Sequence, residues 1–290
     1  MEPKAIISQI RLLDDPDETI FRAVRDNLIG FGLEIVPDLE KAWESSFSEL
    51  IQERIEDIIK SIQFTSLKNQ LEDWVHTGAK DIAFGAYLLA KYQYPDLSWE
   101  GISKQIESIR SEVWLELNEN LTALEKVRVL NHILFEVHKF SPNNANFYSP
   151  QNAYLNLLFE SKKGNPVSLG ILYMTIAQHL ELPVFGVNLP KNFILCYVDD
   201  VSSFHAFGDS ADNTVLFYIN PFNRGAVFGR KEIDYFITQQ QLEPKKDYFS
   251  PCSNPNTLER LISNLILSYE KLGYTDKMSE LGELLEILSK

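Results

Sequence analysis

The first ninety residues carry apolar side chains at helical spacing, interrupted by short polar turns. Ile6, Ile10 and Leu13 share one face, and residues 14–17, Asp-Asp-Pro-Asp, then supply a turn and a helix N-cap. After Pro37 a long apolar stripe at helical spacing predicts a single buried face; it comprises Leu39, Trp43, Phe47, Leu50, Ile55, Ile58 and Ile62. This part of the chain is therefore predicted to be helical.

The middle of the chain changes from a helical to a mixed pattern. Helices are predicted around residues 102–117 and 124–137, and residues 141–146, rich in Asn, predict an irregular loop. Residues 165–182 predict a buried helix, because Asn165 is a good cap and Pro166 suits a first turn. Short aromatic and β-branched runs predict strands at 184–187, 192–198 and 214–219, and helical patterns return at 233–242 and 258–288. The pattern predicts an α+β fold that is mostly helical.

Composition narrows the class of protein and its partners. With 44% apolar and 23% charged residues in 290, the chain is expected to fold as a globular protein with more than one core. Its net charge is −14 and neither half is basic, so nucleic acid and anionic membrane surfaces are not expected partners.

The cysteines and the start of the sequence favour a cytoplasmic protein. Cys196 and Cys252 are too few for a disulfide framework, and they show no metal-ligand spacing. The N-terminus lacks the apolar core of a signal peptide, and no apolar run reaches the ~18 residues of a membrane span. No metal and no cofactor are expected.

The middle and end of the sequence carry an ordered set of motifs. They are a loop with Asn-Ala-Tyr-Leu-Asn at 152–156, a helix start Gly-Asn-Pro at 164–166, a strand after Leu-Pro-Lys-Asn-Phe at 189–193, and a strand ending in Asn-Pro-Phe at 220–222. Over roughly residues 120–290 the chain resembles a bacterial branch of the transglutaminase-like superfamily with a tetratricopeptide-like tail. This resemblance implies a papain-like core in which a central helix packs on a small antiparallel sheet.

Two flanking segments resemble helical repeats. Residues 12–40 resemble one HEAT-type helical pair, and residues 258–288 resemble one tetratricopeptide helix pair. The implied domains are a HEAT-like leader at 1–118, a transglutaminase-like core at 119–250 and a tetratricopeptide-like pair at 251–290.

The resemblance also implies where a catalytic triad would lie. Active superfamily members place a nucleophilic cysteine in the first turn of the central helix, a histidine at the start of the next strand and an aspartate at the end of the one after. The matching positions here are Ser168, Asn192 and Asn220. A helix terminus cannot ionise a serine hydroxyl, and an amide cannot take a proton at neutral pH, so the cysteine chemistry of the family is not expected.

Two other side chains are alternative reactive groups. His205 lies in the loop between two predicted strands and offers a substitute base for Ser168. Cys196 shares a strand face with Asn192, but its apolar surroundings favour a core thiol with a raised pKa.

Four residues are candidates for binding. Asn152, Tyr154 and Asn156 either hold the loop before the central helix or contact a ligand. Arg224 either binds an anionic ligand or forms a local salt bridge. The favoured hypothesis is a non-catalytic protein that binds a peptide or protein partner. The alternatives are a serine-dependent amidase, peptidase or acyltransferase using Ser168, and a helical-repeat scaffold.

Overall fold

A computed structural model describes residues 8–10, 12–199 and 215–289, in two compact units, residues 1–72 and 73–290. The predicted domain boundaries near 118 and 250 both fall inside the second unit and remain predictions. The first unit holds helices α1 (Glu18–Gly30) and α2 (Val36–Ser45), and α3 (Glu49–His76) begins in it. Its core is an apolar cluster that includes Leu28, Leu39 and Ile58, all fully buried.

The predicted single stripe after Pro37 is wrong in one respect. The backbone leaves the helical region at Ser46, with φ −85° and ψ 136°, so the stripe is divided between α2 and α3. Phe47 lies in the break and is fully exposed, and Leu50 is largely exposed as well. Helical spacing alone does not reveal such a break, because the pattern continues across it.

The second unit contains the helices around the candidate site. They are α4 (Ile82–Gln93), α5 (Trp99–Glu116), α6 (Ala123–Asn131), α7 (Leu155–Ser161), α8 (Pro166–Gln178), α9 (Arg230–Gln239), α10 (Asn254–Leu272) and α11 (Thr275–Leu288). A π-helical segment, His132–Val137, continues α6. Residues 166–177 of α8 are all buried, so α8 is the central helix of the unit.

A small antiparallel sheet packs against the central helix. Its strands lie in the order β3 (Val184–Val187), β4 (Ile194–Val198), β5 (Val215–Asn220) and β6 (Ala226–Phe228). A separate parallel pair joins β1 (Ser141–Pro142) to β2 (Lys163–Gly164) just before the central helix. The α+β class is confirmed: the structure is mostly helical, with a central helix on a small antiparallel sheet.

Phe193 sets the distance between the helix and the sheet. A Cβ built on Gly170 of α8 would lie 2.7 Å from Cε1 of this ring, and one built on Gly186 of β3 would lie 2.7 Å from its Cζ. Only a residue without a side chain allows this approach, so the packing of Phe193 requires glycine at both positions. Asn192, the neighbour of Phe193, is thereby positioned near the start of α8.

Candidate functional site

The central helix begins with a closed set of hydrogen bonds. Asn165 is the N-cap, and its Oδ1 accepts from the backbone N–H of Val167 at 2.9 Å and of Ser168 at 2.8 Å. Pro166, at the first helical position, has no N–H to satisfy. The two helix-start amides that could stabilise a negative charge near residue 168 are therefore already bonded within the protein.

The Ser168 hydroxyl is buried and bonded to the backbone. Only 2% of the residue is exposed, and Oγ donates to the carbonyl oxygen of Asn152 at 2.7 Å. Oγ also accepts from the backbone N–H of Asn165 at 3.0 Å, which completes a capping box. Its proton and one lone pair are thus used to join the helix start to the preceding loop.

Asn192 lies in a turn before β4 rather than on the predicted strand, which begins two residues later at Ile194. Its backbone N–H donates to the carbonyl of Leu189 at 3.1 Å, and the preceding Lys191 has a positive φ of 60°. This turn directs the chain back toward α8.

Asn220 ends β5 and caps the short 3₁₀-helix Pro221–Asn223. Its Oδ1 accepts from the backbone N–H of Phe222 at 3.0 Å and of Asn223 at 3.2 Å. Within the described residues no hydrogen bond joins any two of the Ser168, Asn192 and Asn220 side chains. His205, the proposed substitute base, lies outside the described residues.

A cavity of about 350 Å³ opens at the start of α8, and we call it the α8 cavity. Asn165, Pro166 and Asn192 contribute to its wall, whereas Ser168 and Asn220 are not among the described residues that line it. Opposite them, α10 presents Arg260, Asn264, Leu267 and Ser268. The structure therefore brings one of the three triad-equivalent positions to a cavity.

The sequence analysis did not identify Arg260. The available signal was positional: residues 260, 264 and 267 share one helix face at spacings of four and three, beside the apolar face that includes Leu261 and Leu265. Nothing in the local sequence indicates that this second face meets the start of the central helix.

Asn152 and Tyr154 form hydrogen bonds within the protein, while a role of either residue in binding stays a prediction. The Asn152 side chain donates to the carbonyls of Asn146 at 2.7 Å and Phe147 at 3.1 Å, which holds the loop before α7. Tyr154 was expected to bond backbone groups of this loop, and that is wrong: it is 1% exposed, and its hydroxyl pairs with that of Tyr269 at 2.9 Å. Burial and this hydrogen bond raise the pKa of Tyr154 well above its ordinary value.

Asn156 and Arg224 also differ from expectation. Asn156 is buried, and within the described chain its Oδ1 has no hydrogen-bond partner. Arg224 is exposed with a left-handed φ of 51°, and no salt bridge to it is found among the described residues. Neither residue lines the α8 cavity as far as the chain is described.

Both thiols have raised pKa values, and two of the described histidines pair with glutamates. Cys196 is fully buried on β4, and burial raises its pKa well above the ordinary value of a thiol. Desolvation also raises the pKa of Cys252, to about 11. His132 pairs with Glu136 and His138 with Glu112, both away from Ser168 in the hydrogen-bond network. Within residues 8–10, 12–199 and 215–289, no cluster of His, Cys, Asp and Glu could hold a metal ion.

Comparison with known proteins establishes the family. A model described as "Transglutaminase-like superfamily" matches residues 100–263, more than half of the chain. The chain belongs to the transglutaminase-like superfamily. No solved structure matches it significantly.

Individual relatives carry names that do not state an activity. A UPF0162 protein of Xylella fastidiosa (strain Temecula1 / ATCC 700964) is 33% identical over 110 residues, covering 38% of this chain and 39% of that protein. F-box only protein 21 of Mus musculus is 24% identical over 228 residues, covering 70% of this chain and 35% of the relative. A UPF0162 protein of Vibrio cholerae is 22% identical over 210 residues, covering 70% and 73%. The chain thus matches less than two fifths of the length of the Xylella and mouse proteins.

Proposed function

We propose that this chain is a transglutaminase-like protein without catalytic activity, which binds a peptide or protein partner in the α8 cavity. The Ser168 hydroxyl carries the first half of this proposal. The hydroxyl is buried, so an electrophile cannot reach it. Its proton is donated to the Asn152 carbonyl, so no base activates the oxygen as a nucleophile. Asn192 and Asn220 hold no charge and cannot relay a proton at neutral pH.

The rival serine-dependent enzyme requires two changes at once. A base such as His205 would have to reach Oγ, and Oγ would have to leave both backbone partners. Breaking those bonds would expose buried polar groups at a cost of about 1–3 kcal/mol for each group left unsatisfied. The observed hydrogen bonds therefore favour a structural serine.

The α8 cavity supports the binding half of the proposal. Its volume of about 350 Å³ lies within the range of ligand pockets, and aromatic side chains alternate with amides in its wall. Phe147 and Leu267 offer apolar surface, and Asn192 and Asn264 offer donors and acceptors suited to a peptide backbone.

We also propose the assignment of the flanks and of the compartment. A HEAT-like leader at 1–118 would precede the core at 119–250, and α10 and α11 would form the tetratricopeptide-like pair at 251–290. Both cysteines are unpaired, which supports a reducing, cytoplasmic compartment. Among the described helices, none combines the length and the apolar character needed to cross a bilayer.

A photo-crosslinking experiment tests the binding proposal. Benzoylphenylalanine introduced at Asn192, in the cells that make the protein, should capture a polypeptide on irradiation. The same group at Leu115, which is 74% exposed on α5 and does not line the cavity, is the matched control. Equal capture at both positions, or no capture at Asn192, would contradict binding in the α8 cavity.

A second candidate function rests on a groove in the first unit. A depression of about 490 Å³ is lined by Ile10, Ala42 and Ile51 together with polar residues of α2. This groove favours the helical-repeat scaffold. If the scaffold alone acts, an Ala42→Trp substitution that fills the groove should abolish partner capture in cells, while filling the α8 cavity should not.

A further inference from the structure

The charge of the α8 cavity is opposite to that of the chain. The chain has a net charge of −14, yet the described residues lining the cavity include Lys191 and Arg260 and no aspartate or glutamate. A third cation, Lys271, lies beside the cavity, with its Nζ 3.3 Å from the ring centre of the lining residue Tyr148. A cavity with this lining attracts anions and repels other cations.

Arg260 is partly buried without an acidic partner. Its Nη1 donates to Oδ1 of Asn188 at 3.0 Å, and no carboxylate within the described chain forms a salt bridge with it. Its Nε is inaccessible to solvent and has no hydrogen-bond partner there. Burial lowers the pKa of the Arg260 guanidinium, which shows that its positive charge is poorly solvated.

An unpaired, desolvated arginine is costly for a protein to keep. Buried charges are normally paired, and a buried donor without a partner destabilises the fold. An anion bound in the cavity cannot reach the inaccessible Nε, but it would stabilise the positive charge of the guanidinium through the Nη groups. The guanidinium fork matches a carboxylate better than it matches a single-point acceptor, because two parallel hydrogen bonds form at once.

The start of α8 adds to the same field. Asn165, Pro166 and Val167 line the cavity, so the positive end of the helix dipole faces it. The Asn165 side chain already accepts hydrogen bonds from the first free amides of the helix. The helix dipole therefore contributes only a long-range attraction for an anion, and Arg260 is the direct hydrogen-bond donor. The anion is therefore expected nearer to α10 than to Ser168.

The rest of the wall is apolar or carries neutral polar groups. Phe147, Tyr148 and Leu267 form its exposed apolar part, and Asn264 and Ser268 lie on the same helix as Arg260. In a C-terminal residue the carboxylate and the side chain are attached to the same Cα. One chain end can therefore bind the cation with its carboxylate and contact the apolar surface with its side chain. An internal acidic side chain would bring the carboxylate alone.

We propose that the α8 cavity binds the C-terminal end of a partner polypeptide, with the terminal carboxylate on Arg260 and an apolar last side chain against Phe147 and Leu267. Such capture of a chain end is a recurring mode of peptide recognition. The inference rests on the proposed partner-binding function and specifies the chemistry of the partner.

The test uses the full chain and two peptide libraries. Both are acetylated hexapeptides randomised at the last three positions; one ends in a free carboxylate and the other in a carboxamide. Peptides retained by the protein are identified by mass spectrometry, and the best is titrated by fluorescence anisotropy against its amide. The free acid should bind at least tenfold more tightly, as expected for one charge-assisted hydrogen bond of roughly 1.5–3 kcal/mol.

Variants assign the effect to named residues. Arg260→Gln should weaken free-acid binding at least tenfold and leave the amide unchanged, and Asn264→Trp should block both by filling the cavity. Arg128→Gln, which removes the same charge from an exposed position of α6, is the matched control and should bind normally. Thermal unfolding of each variant verifies that it is folded, and if Arg260→Gln is not, Asn264→Trp and Lys191→Gln still test the site.

Four outcomes of the peptide-binding experiments would overturn the inference. They are equal retention of acid and amide, retention of neither library, normal binding by a folded Arg260→Gln variant, and displacement of the peptide by inorganic phosphate at peptide-like concentration, which would indicate a general anion site. Crosslinks from Asn192 to internal segments of a partner would overturn it as well, but would leave the proposed function intact.

Discussion

The Ser168 hydroxyl joins the start of the central helix to the loop before it. We expect Ser168→Ala to lower the free energy of unfolding by about 1–3 kcal/mol, because the Asn152 carbonyl and the Asn165 N–H both lose the hydroxyl and keep only the long 3.4 Å hydrogen bond between them. Urea unfolding followed by circular dichroism measures the change.

A second buried serine is the matched control. Ser268 donates only to the carbonyl of Asn264 in its own helix, four residues earlier. Ser268→Ala should therefore lower the free energy of unfolding by less than Ser168→Ala. An equal or larger effect at Ser268 would show that the Ser168 hydrogen bonds do not stabilise the helix start.

Cys196 is fully buried and Cys252 is half-buried, and both environments protect the thiol from reaction near neutral pH. With the pKa of Cys252 at about 11, only about a thousandth of this thiol is ionised at pH 8. Alkylation by iodoacetamide should be slow at pH 8 and should rise roughly tenfold for each pH unit up to about 10. Cys196, fully buried, should react only after unfolding.

Peptide mapping of alkylated protein at several pH values tests this prediction. The protein unfolded in guanidinium provides the control, since both thiols then have ordinary pKa values. Labelling of either cysteine in the folded protein at pH 7, at the rate seen in guanidinium, would contradict the burial described here.

At the scale of residues, the sequence predicted the chemical character of side chains better than it predicted their contact partners. The sequence is enough to see that Asn192 cannot take a proton at neutral pH and that Asn220 supplies no negative charge, and it predicted correctly that Cys196 belongs to a core. It did not reveal that Tyr154 pairs with Tyr269, or that Arg260 meets Asn188, because these partners are 115 and 72 positions apart. Such pairs depend on tertiary packing, which local patterns do not encode.

At the scale of elements, contact between α8 and the sheet depends on two glycines. Gly170→Ala should lower the free energy of unfolding by about 1–3 kcal/mol, because its new Cβ would lie 2.7 Å from the Phe193 ring. Chemical denaturation measures the loss.

Gly282 of α11 is the control for helix propensity. No atom lies within 4 Å of a Cβ built there, so Gly282→Ala should stabilise the protein by about 0.5–1 kcal/mol. If Gly170→Ala were also stabilising, the close packing of Phe193 on α8 would be wrong.

Capping residues predicted where a helix starts, whereas apolar spacing did not predict where a helix is interrupted. Asn165 and Pro166 predicted the start of α8, and the structure shows the cap hydrogen bonds. The stripe from Leu39 to Ile62 gave no sign of the break at Ser46, where an extended residue divides it. Strand β4 begins two residues later than predicted, because residues 190–192 form a turn that aromatic content does not indicate.

At the scale of the whole molecule, placing Cys, His and Asp at the three triad-equivalent positions should not create a reactive thiol. In a Ser168→Cys, Asn192→His, Asn220→Asp variant, the new thiol should lie where Oγ lies, buried against Asn152 and away from the α8 cavity. Its rate of alkylation by iodoacetamide at pH 6 should equal that of Ser168→Cys alone. A rate at least tenfold higher in the triple variant would show that the three positions do converge.

The position of the cavity follows from long-range packing that the family resemblance did not supply. Its walls come from the loop around Phe147, the start of α8, the turn at Lys191 and α10. The resemblance implied that the start of α8 and the segment around Asn192 are neighbours, it implied nothing about Phe147, and α10 was interpreted only as a helical tail. The face of α10 that carries Arg260 becomes a candidate binding surface only when α10 is known to lie beside the central helix.

The central claim is that the Ser168 hydroxyl is a structural group and not a nucleophile. Incubation with a fluorophosphonate probe, followed by intact mass and peptide mapping, tests it most directly, with Ser168→Ala as the comparison. We predict no adduct at Ser168 and identical labelling of the two proteins. An adduct at Ser168 that is absent from Ser168→Ala would contradict the account.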